Sequence, residues 1–188
     1  MPALEGEQIL ALNKLKAWWN DKEAPQYFTL VGAAGTGKSY TLTAFMEELH
    51  LDYNRVIFGT LAGKAALVLR QRGILTATTI HKLIYIPFEA INVKTKEPCI
   101  RFAKRATLPD TVELIVVDEC SMIDDKIIAD LLSYGKRVIF VGDKFQLKPI
   151  TGVNKLMNNT PDAELTTPRR QALDNSILQV ATDIRNGK

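Results

Sequence analysis

The chain has 188 residues, with 24 basic against 21 acidic side chains for a formal net charge of +3, and 46% of its residues are apolar. Together with a mean hydropathy of −0.03, this excludes disordered, collagenous and membrane-spanning classes, fits one large domain or one domain with a small insertion, and permits an anionic partner without requiring one. Cys99 and Cys120 are too few for a disulfide framework, and the first residues show neither a basic leader nor a signal-type apolar run, so a reducing cytoplasm without a membrane partner is the expected setting.

Residues 7–19 place Ile9, Leu12, Leu15 and Trp19 at helical spacing between lysines, which predicts an amphipathic helix ended by Asn20-Asp21. Tyr27–Val31 is short, β-rich and apolar, as expected of a strand buried on both faces, and it runs straight into a glycine cluster. A helix with the stripe Leu42, Phe45, Met46 and Leu49 follows. Further strands are predicted at Arg55–Phe58, Leu114–Asp118, Arg137–Val141 and Ala163–Thr166, and helices at 64–72, 125–134 and 175–185, each ending at or near a glycine. Strands alternating with helices predict an α/β fold with a parallel central sheet flanked by helices. The interval 87–110 breaks the rhythm: two strand-like runs flank Lys94–Pro98, which reads as a small inserted β-hairpin between two parts of one domain, 1–86 and 111–188. The insertion is basic, with Lys94, Lys96, Arg101, Lys104 and Arg105 against Glu97 alone between 94 and 105.

The strongest chemical signal is Gly32-Ala33-Ala34-Gly35-Thr36-Gly37-Lys38-Ser39, a GxxxxGK[ST] pattern between a predicted strand and a predicted helix. Backbone N–H groups of such a turn point at phosphate oxygens, Lys38 supplies a positive charge at the β- and γ-phosphates, and Ser39 offers its hydroxyl to Mg²⁺. These residues, with Tyr40, form the expected cradle for ATP. Asp118 and Glu119 close a predicted strand. One carboxylate there can hold Mg²⁺ through its water shell and the other can align and polarise an attacking water, so Asp118 is the metal-side residue and Glu119 the water-side one. Carboxyl ends of parallel strands share one edge, which lets Asp143 and Gln146 join Asp118 near the phosphate loop. Gln146 can donate and accept, as a sensor of the γ-phosphate must; by residue type alone it is equally well a polar turn.

Taken in order, GAAGTGKS, Thr78-Thr79-Ile80-His81-Lys82-Leu83, DECSM, VGDKFQLKP and Leu165-Thr-Thr-Pro-Arg-Arg-Gln171 resemble the motor motifs of superfamily 1 DNA helicases of the RecD/Dda type, and the ending VATDIRNGK is similar to Dda-like phage helicases. The resemblance runs from Gln8 to Lys188. It implies a RecA-like P-loop NTPase domain, ATP and Mg²⁺ as cofactors, single-stranded DNA as the track, 5′ to 3′ movement, and the cytoplasm of a bacterial or phage-infected cell. By position it implies that Gln8 reads adenine, that Gln146 couples γ-phosphate state to DNA, and that Arg170, rather than Arg169, touches the γ-phosphate. It also implies DNA contacts by Thr79, His81 and Lys82, and by Lys64, with Thr60 as the hydroxyl where the family pattern has a threonine at the position of Ala62. The insertion 87–110 corresponds to the subdomain that carries the strand-separating pin.

The resemblance also implies a second RecA-like domain, which these residues do not contain. The chain therefore reads as the first motor domain of a longer helicase or as a short protein that works with a partner. A nucleotide-dependent single-stranded-DNA-binding module without helicase activity is the alternative from another class. A P-loop kinase would call for an arginine-rich lid and an acceptor pocket, whereas this chain offers GDxxQL and TIHKL.

Overall fold

The computed structural model describes residues 4–146 and 152–168. The predicted helix at 175–185 and the Arg169–Arg170 pair lie outside the described residues. In chain order the elements are α1 (Glu7–Asn20), β1 (Tyr27–Gly32), α2 (Lys38–Glu48), β2 (Val56–Thr60), α3 (Gly63–Gln71), β3 (Thr78–Thr79), α4 (Ile80–Ile84), β4 (Tyr85–Ile91), β5 (Pro98–Lys104), β6 (Leu114–Val117), α5 (Asp125–Leu132), β7 (Arg137–Gly142) and β8 (Ala163–Leu165).

Six strands form one parallel sheet in the order β3-β2-β6-β7-β1-β8, and β4 and β5 pair antiparallel as a separate hairpin. The parallel sheet and the hairpin meet the sequence expectation. The hairpin ladder begins at Tyr85 and ends at Lys104. Two elements had no clear sequence signal: β3 is only two residues long and α4 only five, too short for either period to show.

Strand residues alternate between two cores. Leu114, Val116, Ile139 and Val141 face α1 and α2, where they meet Leu15, Phe45 and Met46. Ile115, Val117, Val138 and Phe140 face α4 and α5, where they meet Ile80, Ile84 and Leu131. Each such side chain, fully buried, contributes about 1.5–3 kcal/mol, so these continuous apolar runs are what a sheet covered on both faces demands.

The predicted apolar stripe of α1 is turned in the fold. Ile9 is 43% exposed, whereas Gln8, Ala11, Leu12, Leu15 and Trp18 are buried. The helix packs on α2 and β8, and that rotation carries the polar Gln8 inward against the glycine-rich loop instead of Ile9. At the opposite side of the sheet the hairpin root is fastened to α5: the Tyr85 hydroxyl donates to Asp130, Lys126 lies over the Tyr85 ring, and Lys104 donates to Ser133 at 2.6 Å.

Candidate functional site

The loop between β1 and α2 is built by its own side chains. Thr36 Oγ1 donates to Ala33 O at 2.8 Å, and Lys38 Nζ donates to Gly32 O at 2.6 Å and Ala33 O at 3.0 Å, which holds an ammonium group over the mouth of the loop. Gly37 adopts φ +95, immediately before the first residue of α2. Gln8 Nε2 donates to Thr36 O at 3.1 Å, and a Cβ added at Gly37 would lie 2.1 Å from that nitrogen. Only glycine satisfies both the left-handed backbone and this approach. Gly37→Ala is therefore expected to strain the loop by about 1–3 kcal/mol and to displace Gln8, weakening nucleotide binding about tenfold in a titration with a fluorescent nucleotide; unaltered affinity would show that the Gln8 contact is irrelevant to the loop.

Next to Gln8, Glu7 reaches the far edge of the sheet. Its carboxylate accepts from the Thr166 amide at 2.7 Å, from the Thr166 hydroxyl, and from the Thr167 amide at 3.1 Å. The Thr166 hydroxyl is the main cause that holds the Glu7 carboxyl below its ordinary value. This tether is complete at neutral pH and is lost as pH falls through that lowered value.

Asp118 and Glu119 follow β6. The Asp118 amide donates to Gly59 O at 2.9 Å, and Asp118 Oδ1 accepts from the Glu119 amide at 2.9 Å. Glu119 sits at φ 54, ψ 37, a left-handed conformation uncommon for a non-glycine residue, and its side chain is exposed. Beneath them Cys120 is fully buried; burial first, then the Asp118 carboxylate, pushes its thiol up, so it stays protonated. Ser39 and Asp118 are among the residues that line a cavity of about 80 Å³ between α2, α3 and the sheet, whose other walls are mostly apolar: Leu42, Met46, Phe58, Leu69, Ile74, Val116 and Val141, with Thr43 and Tyr53. A serine hydroxyl and an aspartate carboxylate are hard oxygen donors of the kind Mg²⁺ takes alongside phosphate oxygens. The residues present thus fit an Mg-nucleotide: a cationic amine over a glycine loop, a helix N-terminus behind it, and an oxygen pair at one side.

β7 lies between β1 and β6, so the turn after β7 arises between the phosphate loop and Asp118. Asp143 is buried there; its Oδ1 accepts from the Phe145 amide at 3.0 Å and its carbonyl from the Gln146 amide at 3.1 Å. Gln146 is exposed.

A family model described as an AAA domain (AAA_30) matches residues 15–188. The chain belongs to this AAA domain family. Within it, the RecD/Dda-type resemblance read from the motifs holds. The AAA domain is 33% identical over 168 residues to the ATP-dependent RecD2 DNA helicase of Deinococcus radiodurans, covering 85% of this chain and 22% of that protein. It is 31% identical over 182 residues to the ATP-dependent DNA helicase dda of Enterobacteria phage T4, covering 89% and 39%, and 29% identical to the ATP-dependent DNA helicase Pif1 of Bdellovibrio bacteriovorus, covering 98% and 44%. The chain thus spans less than half the length of these relatives. Among solved structures, Bacteroides Pif1 bound to ssDNA superposes with a TM-score of 0.63 at 21% identity over 99% of this chain and 47% of that one, and Pif1 from Candida albicans with a TM-score of 0.63 at 18% identity. These likenesses show the RecA-like fold of the domain.

The other residues that the sequence singles out in the AAA domain, Thr60, Lys64, Thr79, His81 and Lys82, lie at the β2–β3 end of the sheet. Thr60 is paired in register with Thr79, and Gly63 lies against the Thr79 side chain. Lys64, His81 and Lys82 are exposed. Thr79 Oγ1 accepts from the Lys82 amide at 3.3 Å and caps α4. Thr60 is 1% exposed, and its hydroxyl donates to Ala62 O at 3.0 Å, so it shapes the turn that presents Lys64 instead of facing solvent. Two further buried polar residues, Ser121 and Asn154, flank the turn after β6; Ser121 lies inside the DECSM motif, and Asn154 has no sequence signal at all. No helix among the described residues is long and apolar enough to cross a membrane.

Proposed function

We propose that this chain is the first motor domain of an ATP-dependent DNA helicase, binding and hydrolysing ATP with Mg²⁺ and gripping single-stranded DNA within an enzyme that translocates 5′ to 3′ in the cytoplasm. The observation that carries the reading is the glycine loop between β1 and α2, with the Lys38 ammonium held on the Gly32 and Ala33 carbonyls at the N-terminus of the helix that Ser39 continues. In this reading Gly32 to Tyr40 hold the phosphates, Ser39 and Asp118 hold Mg²⁺, Glu119 orients the attacking water and Gln146 senses the γ-phosphate. Gln8, already against the loop, reads adenine, and Arg170 contacts the γ-phosphate. Bound there, Mg²⁺ would neutralise charge on the β- and γ-phosphate oxygens. Residues 1–86 and 111–188 form the motor and 87–110 its pin-like insertion.

The exposed Lys64, His81 and Lys82 beside Thr79 support a phosphate grip that reads no sequence, with Thr60 fixing the turn beneath it. With a net charge of only +3, that grip engages few phosphates. Binding to single strands is expected to be weak and to fall with salt as if about two to four counterions were released. The deciding experiment is ATP hydrolysis with and without single-stranded DNA. Stimulated turnover supports the motor domain; salt-dependent DNA binding without any turnover replaces it with a nucleotide-dependent binding module, and turnover indifferent to DNA with a kinase-like transfer.

A further inference from the structure

The turns after β6 and β7 are joined by a single side chain. Ser121 Oγ donates to Asp143 O at 2.8 Å and accepts from the Asp143 amide at 3.1 Å, so one hydroxyl satisfies both backbone groups of a buried residue on the neighbouring turn. The same Asp143 carbonyl accepts from the Gln146 amide. A direct chain of hydrogen bonds therefore runs from the turn that carries Glu119 to the backbone of Gln146. The turns approach this closely because residue 142 is glycine: a Cβ there would lie 2.8 Å from Cys120 Sγ and 3.1 Å from Ser121 Oγ. On its other side the Glu119 turn is braced by Asn154, whose Nδ2 donates to Cys120 O at 2.7 Å and whose Oδ1 accepts from the Met157 amide at 3.1 Å. Asn154 is 6% exposed and Ser121 5%.

We propose that Ser121 is a positioning residue for phosphoryl transfer: its hydroxyl locks the Glu119 turn and the Gln146 turn at one separation, so that movement of either on nucleotide binding or release is transmitted to the other. Asn154 supplies the fixed backing that makes the lock rigid. The inference rests on the roles given above to Glu119 and Gln146, and it adds the residue that couples them. Ser121 touches neither nucleotide nor DNA in this account; it acts through the backbone of residues 143–146. A hydroxyl suits this task better than a longer side chain because it donates and accepts at a single atom, and burial keeps water from competing for either bond.

The test compares Ser121→Ala, Ser121→Thr and Gln146→Ala in the 188-residue chain, with circular dichroism melts to establish that each is folded. Misplacement of a catalytic group by about 1 Å can cost about a hundredfold in rate. Ser121→Ala is expected to lower kcat for ATP hydrolysis by about ten- to a hundredfold while KM and nucleotide affinity change by less than about twofold. Ser121→Thr, which keeps the hydroxyl, should recover most of the rate. In the Gln146→Ala background the Ser121→Ala change should cost little more, because the path it serves is already cut. Independently of turnover, amide hydrogen exchange of residues 143–146 should accelerate by about tenfold or more in Ser121→Ala, with exchange in the β7 strand unaltered. Fully additive effects of the two substitutions, parallel losses in kcat and affinity, or unaltered exchange at 143–146 would each overturn the proposal. If the wild-type chain does not hydrolyse ATP, the helicase reading fails, and the exchange measurement still decides whether Ser121 sets the Gln146 turn.

Discussion

Lys38→Ala should abolish measurable ATP turnover, with a loss of at least about 10²–10³ in rate, and should weaken nucleotide binding by about ten- to a hundredfold while leaving the fold intact. Lys38 Nζ rests on the carbonyls of Gly32 and Ala33, inside the loop and above the N-terminus of α2. Phosphate oxygens entering the loop would take over those hydrogen bonds with a full opposite charge, which makes each of them stronger. The chemistry needs that charge most when negative charge spreads over the transferring group, so the rate suffers more than the binding. The fold should persist because Lys38 packs into neither apolar core. Hydrolysis by purified Lys38→Ala at the wild-type rate, with contaminating ATPase excluded, would refute the assignment of the loop.

Residues 1–188 alone are expected not to unwind duplex DNA. The curated relatives are more than twice as long as the region they share with this chain. Phosphoryl transfer draws much of its rate from a site closed to water, and an arginine supplied across a cleft is worth about 10³–10⁵. In the proposed reading the described residues supply the loop, Ser39, Asp118 and Glu119, and the arginine from across a cleft would have to come from elsewhere. Translocation further requires two DNA grips whose separation changes with nucleotide state, and the grip proposed at Lys64, Thr79, His81 and Lys82 is a single one. The isolated chain should fold, bind Mg-nucleotide and single strands weakly, and hydrolyse ATP slowly. Strand displacement by the purified monomer on a tailed duplex measures this directly; robust ATP-dependent unwinding would show that one domain suffices.

The parts of this protein legible in its sequence are those encoded by short-range spacing. The GAAGTGKS loop needs its glycines, lysine and serine within eight consecutive positions, and the carboxylates after β6 are announced by the apolar run that ends in Asp118. Apolar runs of four to six residues between helical stretches were enough to read a parallel sheet, because a strand buried on both faces has no polar alternative. The common edge for the loop, Asp118 and Gln146 follows from that topology alone.

The tertiary structure decided what depends on partners remote in the chain. The placing of β7 between β1 and β6 sets which turn lies nearest the phosphate loop, and no local period encodes strand order. Both Ile9 and Gln8 fit α1 by spacing; the glycine loop, 28 residues away from Gln8, accepts its amide and turns Ile9 to solvent. Thr60 reads as an available hydroxyl until the turn at Ala62 closes over it. Ser121 and Asn154 matter through backbone atoms 22 and 34 residues away. A hydrogen bond to a distant main-chain group leaves no trace in spacing, composition or period, because its partner has no residue type to recognise.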